Sequence, residues 1–565
     1  MGPWLEIAIF ILLLLAIFPL LGKYLAFIFS DEESNSSSPR FVLLTWLEKT
    51  VYRLGGIDSN QEMGWKDYAK AMLWFNFFGL IFLFALQLFQ GWLPLNPQNF
   101  SGVEPLLAFN TAVSFVTNTN WQAYGGENSL SYLTQMLGMT VQNFVSAATG
   151  FACLLALIRG ILRRSSQTIG NFWRDLTKSV IYLLLPFSVI FALFLVSQGV
   201  IQTLSPYVQA YTMENELQTI PLGPAASQIA IKQLGTNGGG FFNANSSHPF
   251  ENPTPLSNFF ESFAILLIPA STLYMYGLMV KSRRQGLVIF LVMFFFWIAG
   301  LGIALYSESL PNPVMAVQPV LEGKETRFGL KDSVLWAINT TATSNGSVNT
   351  MHDSLSPLAG GVALFNMMVG EVVFGGVGVG LCAMLMFVLL TVFLSGLMVG
   401  RTPEYLTKKI EKTEIQWVML AILTPCALIL FGSSIAFLVP SALASIENGG
   451  PHGLSEILYA FSSSSGNNGS AFAGLNANTD FYNLILAALM MLARLAILVP
   501  SLAIAGSLAL KKSIAPSIGT FATDTPLFGL LLFSVIFIVA ALTFFPALSL
   551  GPIVEHFLML KGLSF

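Results

Sequence analysis

The sequence predicts an all-α polytopic membrane protein with ten transmembrane helices. Eight of them form four helix–pore loop–helix repeats around one central pore, and an extra helix lies at each end of the chain. Only 10% of the 565 residues are charged and 54% are hydrophobic, whereas soluble domains carry about 25% charged residues. Ten apolar runs reach the roughly 20 residues that a spanning helix needs. Four short polar runs recur at similar intervals, which indicates one structural unit used four times.

The apolar runs define the predicted organisation of the chain. The predicted spans are residues 4–29, 71–92, 132–158, 179–202, 259–280, 286–307, 360–398, 416–440, 481–510 and 526–548. They divide the chain into an N-terminal helix, a cytoplasmic loop, four repeats and a C-terminal helix, at 1–30, 31–70, 71–158, 179–280, 286–398, 416–510 and 526–548. The first run lacks the basic start of a signal peptide, so we interpret it as a retained helix.

The basic residues predict the orientation. Most of the 26 Lys and Arg residues lie in alternate loops, beginning with the loop after the first span. Loops rich in Lys and Arg stay on the cytoplasmic side of a membrane. Both termini are therefore predicted to lie outside, and the four polar runs open toward the outside. The Ser-rich stretch at 31–40 is predicted to be a flexible cytoplasmic loop.

Each polar run follows an amphiphilic segment of about a dozen residues, which is too short to span a bilayer. These segments are Pro105–Val116, Pro224–Leu234, Lys331–Thr341 and Leu454–Ser464. Irregular backbone at membrane depth is tolerated only where protein buries it or water lines it. We therefore predict four re-entrant pore helices, each followed by a filter loop. The alternative is four ordinary outer loops rich in turn residues.

Aligning the polar runs places one triplet of each in register. The aligned residues are Asn118, Thr119, Asn120; Thr236, Asn237, Gly238; Ser344, Asn345, Gly346; and Asn467, Asn468, Gly469. Rings of backbone carbonyls can replace the water shell of a monovalent cation, whereas calcium or magnesium sites use carboxylates. Glycine ends three triplets and suits a backbone that a β-carbon would hinder. Asn120 departs from this pattern, so strict fourfold symmetry is not expected.

Several classes of function are excluded by the sequence. It contains no glycine-rich phosphate loop followed by Lys-Ser or Lys-Thr and no Asp-Lys-Thr-Gly-Thr phosphorylation motif, so the chain carries no machinery for ATP hydrolysis. The net charge of −3 gives no nucleic-acid footprint. The three cysteines and four histidines lack the spacing of a zinc site. We expect a protein that is not catalytic alone and has no organic cofactor.

The apolar run at 360–398 is nearly twice as long as a ~30 Å hydrocarbon core requires. Its glycines, among them Gly375, Gly376 and Gly378, predict a break near Gly375–Gly380, directly below the predicted filter loops. The alternative is one long tilted helix. Glu371 and Arg494 lie near mid-depth, where charges are costly and functional by default. They either pair with each other, or Glu371 attracts the ion and Arg494 discourages leak to the cytoplasm.

The chain resembles the KdpA family, the potassium-binding subunits of bacterial Kdp pumps, over nearly its whole length. The insert at 31–40 is the main stretch without a counterpart. The resemblance is carried by TNTNWQ at 117–122, GTNGGGFFNANSSHP at 235–249, NNGSAF at 467–472, VGRTPEYL at 399–406 and the starting Trp4-Leu5. It implies that the twelve triplet residues form a potassium filter, with Gln122 as a further candidate beside it. It also implies that the break at Gly375, Gly376 and Gly378 is the place of a gate or tunnel entrance below the filter. Arg401 is implied to anchor a loop at the cytoplasmic end of the broken helix.

The resemblance also implies partners. Members of this family select potassium outside the bacterial inner membrane and pass it through an intramembrane tunnel to a P-type ATPase subunit, KdpB. A single-span subunit, KdpC, and a very small one, KdpF, complete the complex. The filter triplets differ from the longer filter of potassium channels, which implies one dominant ion site. The alternative function is a stand-alone, gradient-driven potassium transporter of the same superfamily.

Overall fold

The computed structural model describes residues 3–30, 42–315, 318–398, 400, 402–514 and 521–563, so the insert at 31–40 lies outside the described residues. The α-helices are α1 (Pro3–Phe29), α2 (Val42–Gly55), α3 (Trp65–Leu88), α4 (Pro105–Val116), α5 (Gly126–Ser129), α6 (Val141–Leu162), α7 (Phe172–Lys178), α8 (Leu185–Gln198), α9 (Ala225–Leu234), α10 (Pro255–Met279), α11 (Arg283–Ser309), α12 (Gly329–Ala342), α13 (Pro357–Met368), α14 (Val379–Met398), α15 (Lys412–Leu438), α16 (Pro440–Leu443), α17 (Gly450–Ser465), α18 (Asp480–Leu510), α19 (Pro526–Leu548) and α20 (Val554–Leu560).

The remaining elements are short. π-Helical turns at Thr134–Thr140, Ser179–Leu184 and Ser549–Ile553 extend α6, α8 and α19. Two antiparallel hairpins pair β1 (Val208–Tyr211) with β2 (Leu217–Ile220) and β3 (Glu404–Tyr405) with β4 (Lys408–Lys409). The described part of the chain is therefore mostly helical.

Ten helical segments of the described chain are long and apolar enough to cross a membrane, which confirms the predicted number of spans. They are Trp4–Phe29, Trp65–Leu88, Thr134–Leu162, Phe172–Gln198, Pro255–Met279, Arg283–Ser309, Val379–Met398, Lys412–Leu438, Asp480–Leu510 and Pro526–Leu560. Most spans begin or end several residues beyond the apolar runs, because the helices continue into polar first and last turns.

The seventh span differs most from its apolar run. The run at 360–398 contains two helices, because α13 ends at Met368 and α14 begins at Val379. The sequence predicts the break near Gly375–Gly380, and the structure begins it several residues earlier. Gly370, Gly375 and Gly378 within it have positive φ angles, which glycine adopts without a steric penalty. The alternative of one continuous tilted helix is therefore wrong.

Four short helices stand immediately before the polar triplets. They are α4, α9, α12 and α17, and their bounds follow the predicted amphiphilic segments closely. At the start of α4, the Glu104 carboxylate accepts hydrogen bonds from the backbone N–H groups of Leu106 (3.1 Å) and Leu107 (2.9 Å). Such N-caps satisfy donors that a helix start leaves unpaired. Among the four short helices, α4 alone has such a side-chain cap, since α9, α12 and α17 begin without one.

The repeats close on one another. Helix α4 of the first repeat packs against α3 and also against α18 of the fourth repeat. Helix α18 packs in turn against α6, where a β-carbon at Gly160 would overlap the backbone of Ala505. Small residues allow such close approach between helices in a membrane. The first and fourth repeats are therefore neighbours, as an arrangement around one central axis requires.

Candidate ion-binding filter and its surroundings

The four triplet loops share one backbone conformation. In each loop the first and third residues of the triplet have positive φ, while the middle residue does not. The positive angles are 64° and 53° at Asn118 and Asn120, 50° and 89° at Thr236 and Gly238, 52° and 82° at Ser344 and Gly346, and 48° and 99° at Asn467 and Gly469. Neither helix nor strand produces this alternation. Four ordinary turns would not repeat it in register, so the alternative of unrelated outer loops is not supported.

The loops touch each other in a closed order. A β-carbon at Gly238 would overlap the carbonyl oxygen of Asn345 in the next loop. The same relation holds between Gly346 and Asn468 O, and between Gly469 and Thr119 O. On the remaining side, Asn118 Nδ2 donates a 2.9 Å hydrogen bond to Thr236 O. The structure therefore brings all four triplets into one ring.

The middle carbonyls of the ring accept no hydrogen bond within the part of the chain that the structure describes. Among the described residues, no backbone or side-chain N–H or O–H group donates to the carbonyl oxygens of Thr119, Asn237, Asn345 or Asn468. All four residues are fully buried. Buried carbonyls are almost always paired with protein or another partner. Four such oxygens at equivalent positions can provide ligands for a cation that has lost its water.

Asn120 departs from the glycine pattern without breaking the ring. Its side chain leaves the filter, since Nδ2 donates a 2.8 Å hydrogen bond to Asn143 Oδ1 on α6. A β-carbon on Gly239 would lie 3.1 Å from the Asn120 β-carbon, so loops 1 and 2 also pack closely here. Asparagine tolerates a left-handed backbone better than most residues. The ring is therefore fourfold in backbone pattern and asymmetric in side chains.

Side-chain amides hold neighbouring loops together. Asn345 Nδ2 donates to Lys232 O at 3.0 Å, and Asn468 Nδ2 donates to Thr340 O at 2.8 Å. Lys232 and Thr340 occupy equivalent positions near the ends of α9 and α12. Asn467 Nδ2 donates to Thr119 Oγ1 at 2.9 Å. Amide side chains therefore brace the ring from behind, which accounts for the abundance of asparagine in the triplets.

Gln122 links the first loop to the second just beyond the filter. Its Nε2 donates to Gly240 O at 3.0 Å, and Gly240 N–H donates to Gln122 Oε1 at 2.8 Å. This paired arrangement resembles one rung of a β-ladder. The described geometry gives Gln122 a bracing position in the loop that follows Asn120.

A buried lysine lies behind the second loop, where the sequence alone indicates only one more cation on the outer side. Lys232 is fully buried. Its Nζ donates to Asn245 Oδ1 (2.6 Å), Ser246 Oγ (2.7 Å) and Glu251 Oε2 (2.7 Å). Asn245 Nδ2 in turn donates to Gly238 O at 2.9 Å. Lys232 therefore positions a filter residue through one intermediate side chain.

The helix break lies against the underside of the ring. Val377 N–H donates to Thr236 Oγ1 at 2.9 Å, and Gly375 N–H donates to Ala342 O at 3.0 Å. A β-carbon at Gly376 would lie 3.6 Å from Thr236 Oγ1, and one at Gly378 would meet the α6 backbone at Phe151. The glycines predicted for the gate thus allow the chain to pass between the second filter loop and α6.

Glu371 and Arg494 meet within this region. Glu371 lies inside the break, and Glu371 Oε1 is 3.6 Å from Arg494 Nη1 on α18. Their exposed fractions are 2% and 5%. Gly376 N–H approaches Glu371 Oε2 at 3.4 Å, while Oε1 accepts no hydrogen bond from the described residues. The two charges therefore form a loose buried pair. Arg401, the other charged candidate, lies outside the described residues.

Comparisons of the sequence with known proteins identify its relatives. Residues 8–557 match the family described as "KdpA: Potassium-transporting ATPase A subunit". A protein of Leptospira interrogans named "Potassium-transporting ATPase potassium-binding subunit" is 54% identical over 564 residues, covering 100% of this chain and 99% of the relative. A protein of Pseudomonas aeruginosa with the same name is 54% identical over 558 residues, covering 97% and 98%.

A solved structure shares the fold. The potassium transporter TrkH from Vibrio parahaemolyticus superposes with a TM-score of 0.50, covering 85% of this chain and 96% of that chain. At 14% identity, this likeness concerns the fold alone. It agrees with the predicted architecture of four helix–pore loop–helix repeats in one chain.

Proposed function

This chain belongs to the KdpA family of potassium-transporting ATPase A subunits, and from that premise we propose that it is the potassium-binding subunit of an ATP-driven uptake complex. The proposal includes capture of K⁺ from outside by the ring of four loops. The chain itself is not catalytic, since ATP hydrolysis belongs to a partner subunit. We propose no resident organic cofactor for this chain.

The observation that carries the proposal is the set of four buried middle carbonyls to which none of the described residues donates a hydrogen bond. Carbonyl oxygens around an axis replace the hydration shell of a potassium ion. The carbonyls of Thr119, Asn345 and Asn468 each lie close to a glycine of a neighbouring loop, and Asn120 packs against Gly239, so adjacent loops are in contact around the ring. The filter residues proposed to form this site are Asn118, Thr119, Asn120, Thr236, Asn237, Gly238, Ser344, Asn345, Gly346, Asn467, Asn468 and Gly469.

The charge of the site supports a monovalent ion. All twelve filter residues are neutral, and Lys232 behind the ring is already paired with Glu251. Calcium and magnesium sites use several carboxylate ligands, and the triplets contain none. A triplet is also shorter than a channel filter. One dominant site would favour tight capture over rapid conduction, because conduction requires binding weak enough for the ion to leave.

The route beyond the filter follows from the break between α13 and α14. We propose that the ion passes beneath Thr236, near Glu371, and leaves sideways through an intramembrane tunnel toward the ATPase subunit KdpB. The buried carboxylate supports this route because it offers a negative charge at a depth where cations are costly. Arg494 would oppose direct leak toward the cytoplasm. KdpC and KdpF are the other proposed partners, in the bacterial inner membrane.

Purification of the tagged chain from potassium-starved native membranes tests this function. We expect co-purification of a partner that forms an aspartyl phosphate and hydrolyses ATP in response to potassium. A lone chain or homodimer that carries rubidium without ATP would instead establish a gradient-driven transporter. A potassium-independent complex would contradict both functions.

A further inference from the structure

Three acidic or imidazole side chains converge away from the filter. Asp353 follows the third filter loop, and His452 and Glu456 lie four residues apart on α17, so they share one face of that helix. One potential ligand atom from each of the three residues lies within 4.8 Å of the other two. The spacing of the histidines along the chain indicates no zinc site. The fold assembles this cluster from residues about a hundred positions apart, which local spacing cannot reveal.

His452 is oriented by a fourth residue. Its Nδ1 is 2.7 Å from Glu555 Oε1 on α20, and its Nε2 is 3.1 Å from Asp353 Oδ1. Metal-binding histidines almost always give their second ring nitrogen to a carboxylate or carbonyl, which sets the tautomer and the ring orientation. Glu555 is placed to do this, leaving Nε2 directed at Asp353.

Glu456 adds an oxygen without a hydrogen-bond partner among the residues that the structure describes. The residue is fully buried. Its Oε1 accepts a 2.7 Å hydrogen bond from Asn448 Nδ2, while its Oε2 has no hydrogen-bond partner among the described residues. An unpaired buried carboxylate oxygen is costly. Its carboxylate belongs to the convergent set, so an ion bound by Asp353 and His452 would satisfy it.

The donor set indicates the class of ion. Calcium and magnesium prefer oxygen ligands alone, whereas an imidazole nitrogen with two carboxylates suits zinc and similar transition-metal dications. Asp353 and His452 border a cavity of about 400 Å³ that is also lined by Glu447 and Glu555. This cavity gives an ion a route to the side chains.

We propose that Asp353, His452 and Glu456 form a binding site for a transition-metal dication such as Zn²⁺, oriented by Glu555. The ion would join the segment after the third filter loop to the fourth pore helix. The ring of His452 stacks at 5.9 Å on Phe472, which follows the fourth filter loop. The site is separate from the proposed potassium filter, and its binding can be measured without transport.

Zinc titration of the purified full-length protein, with whatever subunits accompany it, tests the site. Zn²⁺ alone is added at pH 7.5 in competition with a chromogenic chelator. We expect saturable binding of one ion per chain, with an X-ray absorption spectrum showing one imidazole nitrogen and carboxylate oxygens at about 2.0–2.2 Å. Glu555→Gln should weaken binding about 10–100-fold, because it removes an orienting partner and no ligand.

Glu456→Gln is the decisive variant because the glutamine oxygen can still accept the Asn448 hydrogen bond, so folding should be preserved. It should weaken zinc binding at least as much as Glu555→Gln does. Glu447→Gln changes another acid of the same cavity outside the cluster and should leave the affinity unchanged. Absence of saturable binding in the unmodified protein, or equal affinity in the Glu456→Gln and Glu447→Gln variants, would overturn the proposal.

Discussion

The carbonyl oxygen of Asn345 occupies the space that a β-carbon at Gly238 would need, so the second and third filter loops meet backbone to backbone. We expect Gly238→Ala to lower potassium affinity more than tenfold and to reduce discrimination against sodium. The φ of 89° at this position adds a penalty of about 1–2 kcal/mol for any β-carbon. Potassium activation of ATP hydrolysis, measured with and without competing sodium, provides the readout.

Gly302→Ala is the matched control for this change. A β-carbon at Gly302 in α11 would meet no heavy atom within 4 Å, so the affinity should not move. Unchanged potassium affinity and selectivity in Gly238→Ala would remove the second loop from the filter.

Lys232→Met should destabilise the protein strongly. It leaves Glu251 buried without its cation, and breaking one partner of a buried pair costs about 3–5 kcal/mol. Thermal unfolding in detergent measures the loss. Lys70→Met, which breaks an exposed pair with Asp67, should cost at most about 1 kcal/mol.

The pair with Glu251 can be separated from general damage by a double variant. Lys232→Met combined with Glu251→Gln should lose less stability than the sum of the two single changes. Losses of stability that simply add would show that the Lys232–Glu251 contact contributes no interaction free energy of its own.

Glu371→Gln should reduce potassium transport about tenfold or more while the thermal transition stays within a few degrees. The glutamine can still accept the Gly376 hydrogen bond, but it offers no negative charge to a passing cation. Uptake into proteoliposomes gives the rate, and Glu371→Asp should recover part of it. Wild-type uptake by Glu371→Gln would exclude this residue from the ion path.

Asp332→Asn should make stability less dependent on pH. Asp332 lies in the first turn of pore helix α12, where burial and then the nearby Glu6 raise its pKa from 3.8 to about 7. Because the raised pKa disfavours the ionised form in the folded protein, the stability of the native protein falls as pH rises from about 4 through 7. A pKa that is higher by one in the folded state than in the unfolded state corresponds to about 1.4 kcal/mol.

The asparagine variant should therefore be more stable than the native protein above pH 7 and equal to it below about pH 4. Melting temperatures across this range provide the comparison. In a Glu6→Gln background, Asp332→Asn should change the melting temperature above pH 7 by less, because the Glu6 charge is one cause of the raised pKa of Asp332. A constant difference at all pH values would mean that Asp332 does not titrate in this window.

Both termini should be accessible from outside the cell. The basic residues concentrate in the alternate loops that begin after α1, and such loops remain cytoplasmic. Cysteine tags at either end should react with a membrane-impermeant reagent in intact spheroplasts. A tag in the loop between α6 and α7 should react only after permeabilisation, and the reverse pattern would invert the orientation.

Hydropathy was sufficient to predict the ten spans and the four pore helices, because each depends on consecutive residues. The triplets could also be aligned from sequence, since their polar residues stand out from apolar flanks. The length of the apolar run at 360–398 and its glycines together indicated the break between α13 and α14. The glycines placed the start of the break several residues too late.

Some contacts between distant segments were expected from the sequence, such as the meeting of the triplets and a pairing of Glu371 with Arg494, but most were not. In the sequence, Lys232 looked like one more cation on the outer side of the membrane. Its position four residues before Thr236, in a segment too short to span the bilayer, did indicate that it lies close to the triplet. Its partners Asn245 and Glu251 follow the filter loop in the sequence, so local sequence does not show that they contact Lys232. Likewise, the contact between His452 and Glu555 depends on the packing of α17 against α20, which the sequence does not reveal.

The four filter loops are encoded once each on a single polypeptide. A codon change therefore alters one side of the ring, whereas in a tetramer of identical subunits it would alter all four sides together. Asn120, present in the first loop alone, shows that one side can diverge while three keep glycine. Selection can thus adjust each quarter of the filter separately, and an engineer can grade the effect of a substitution by placing it in one to four loops.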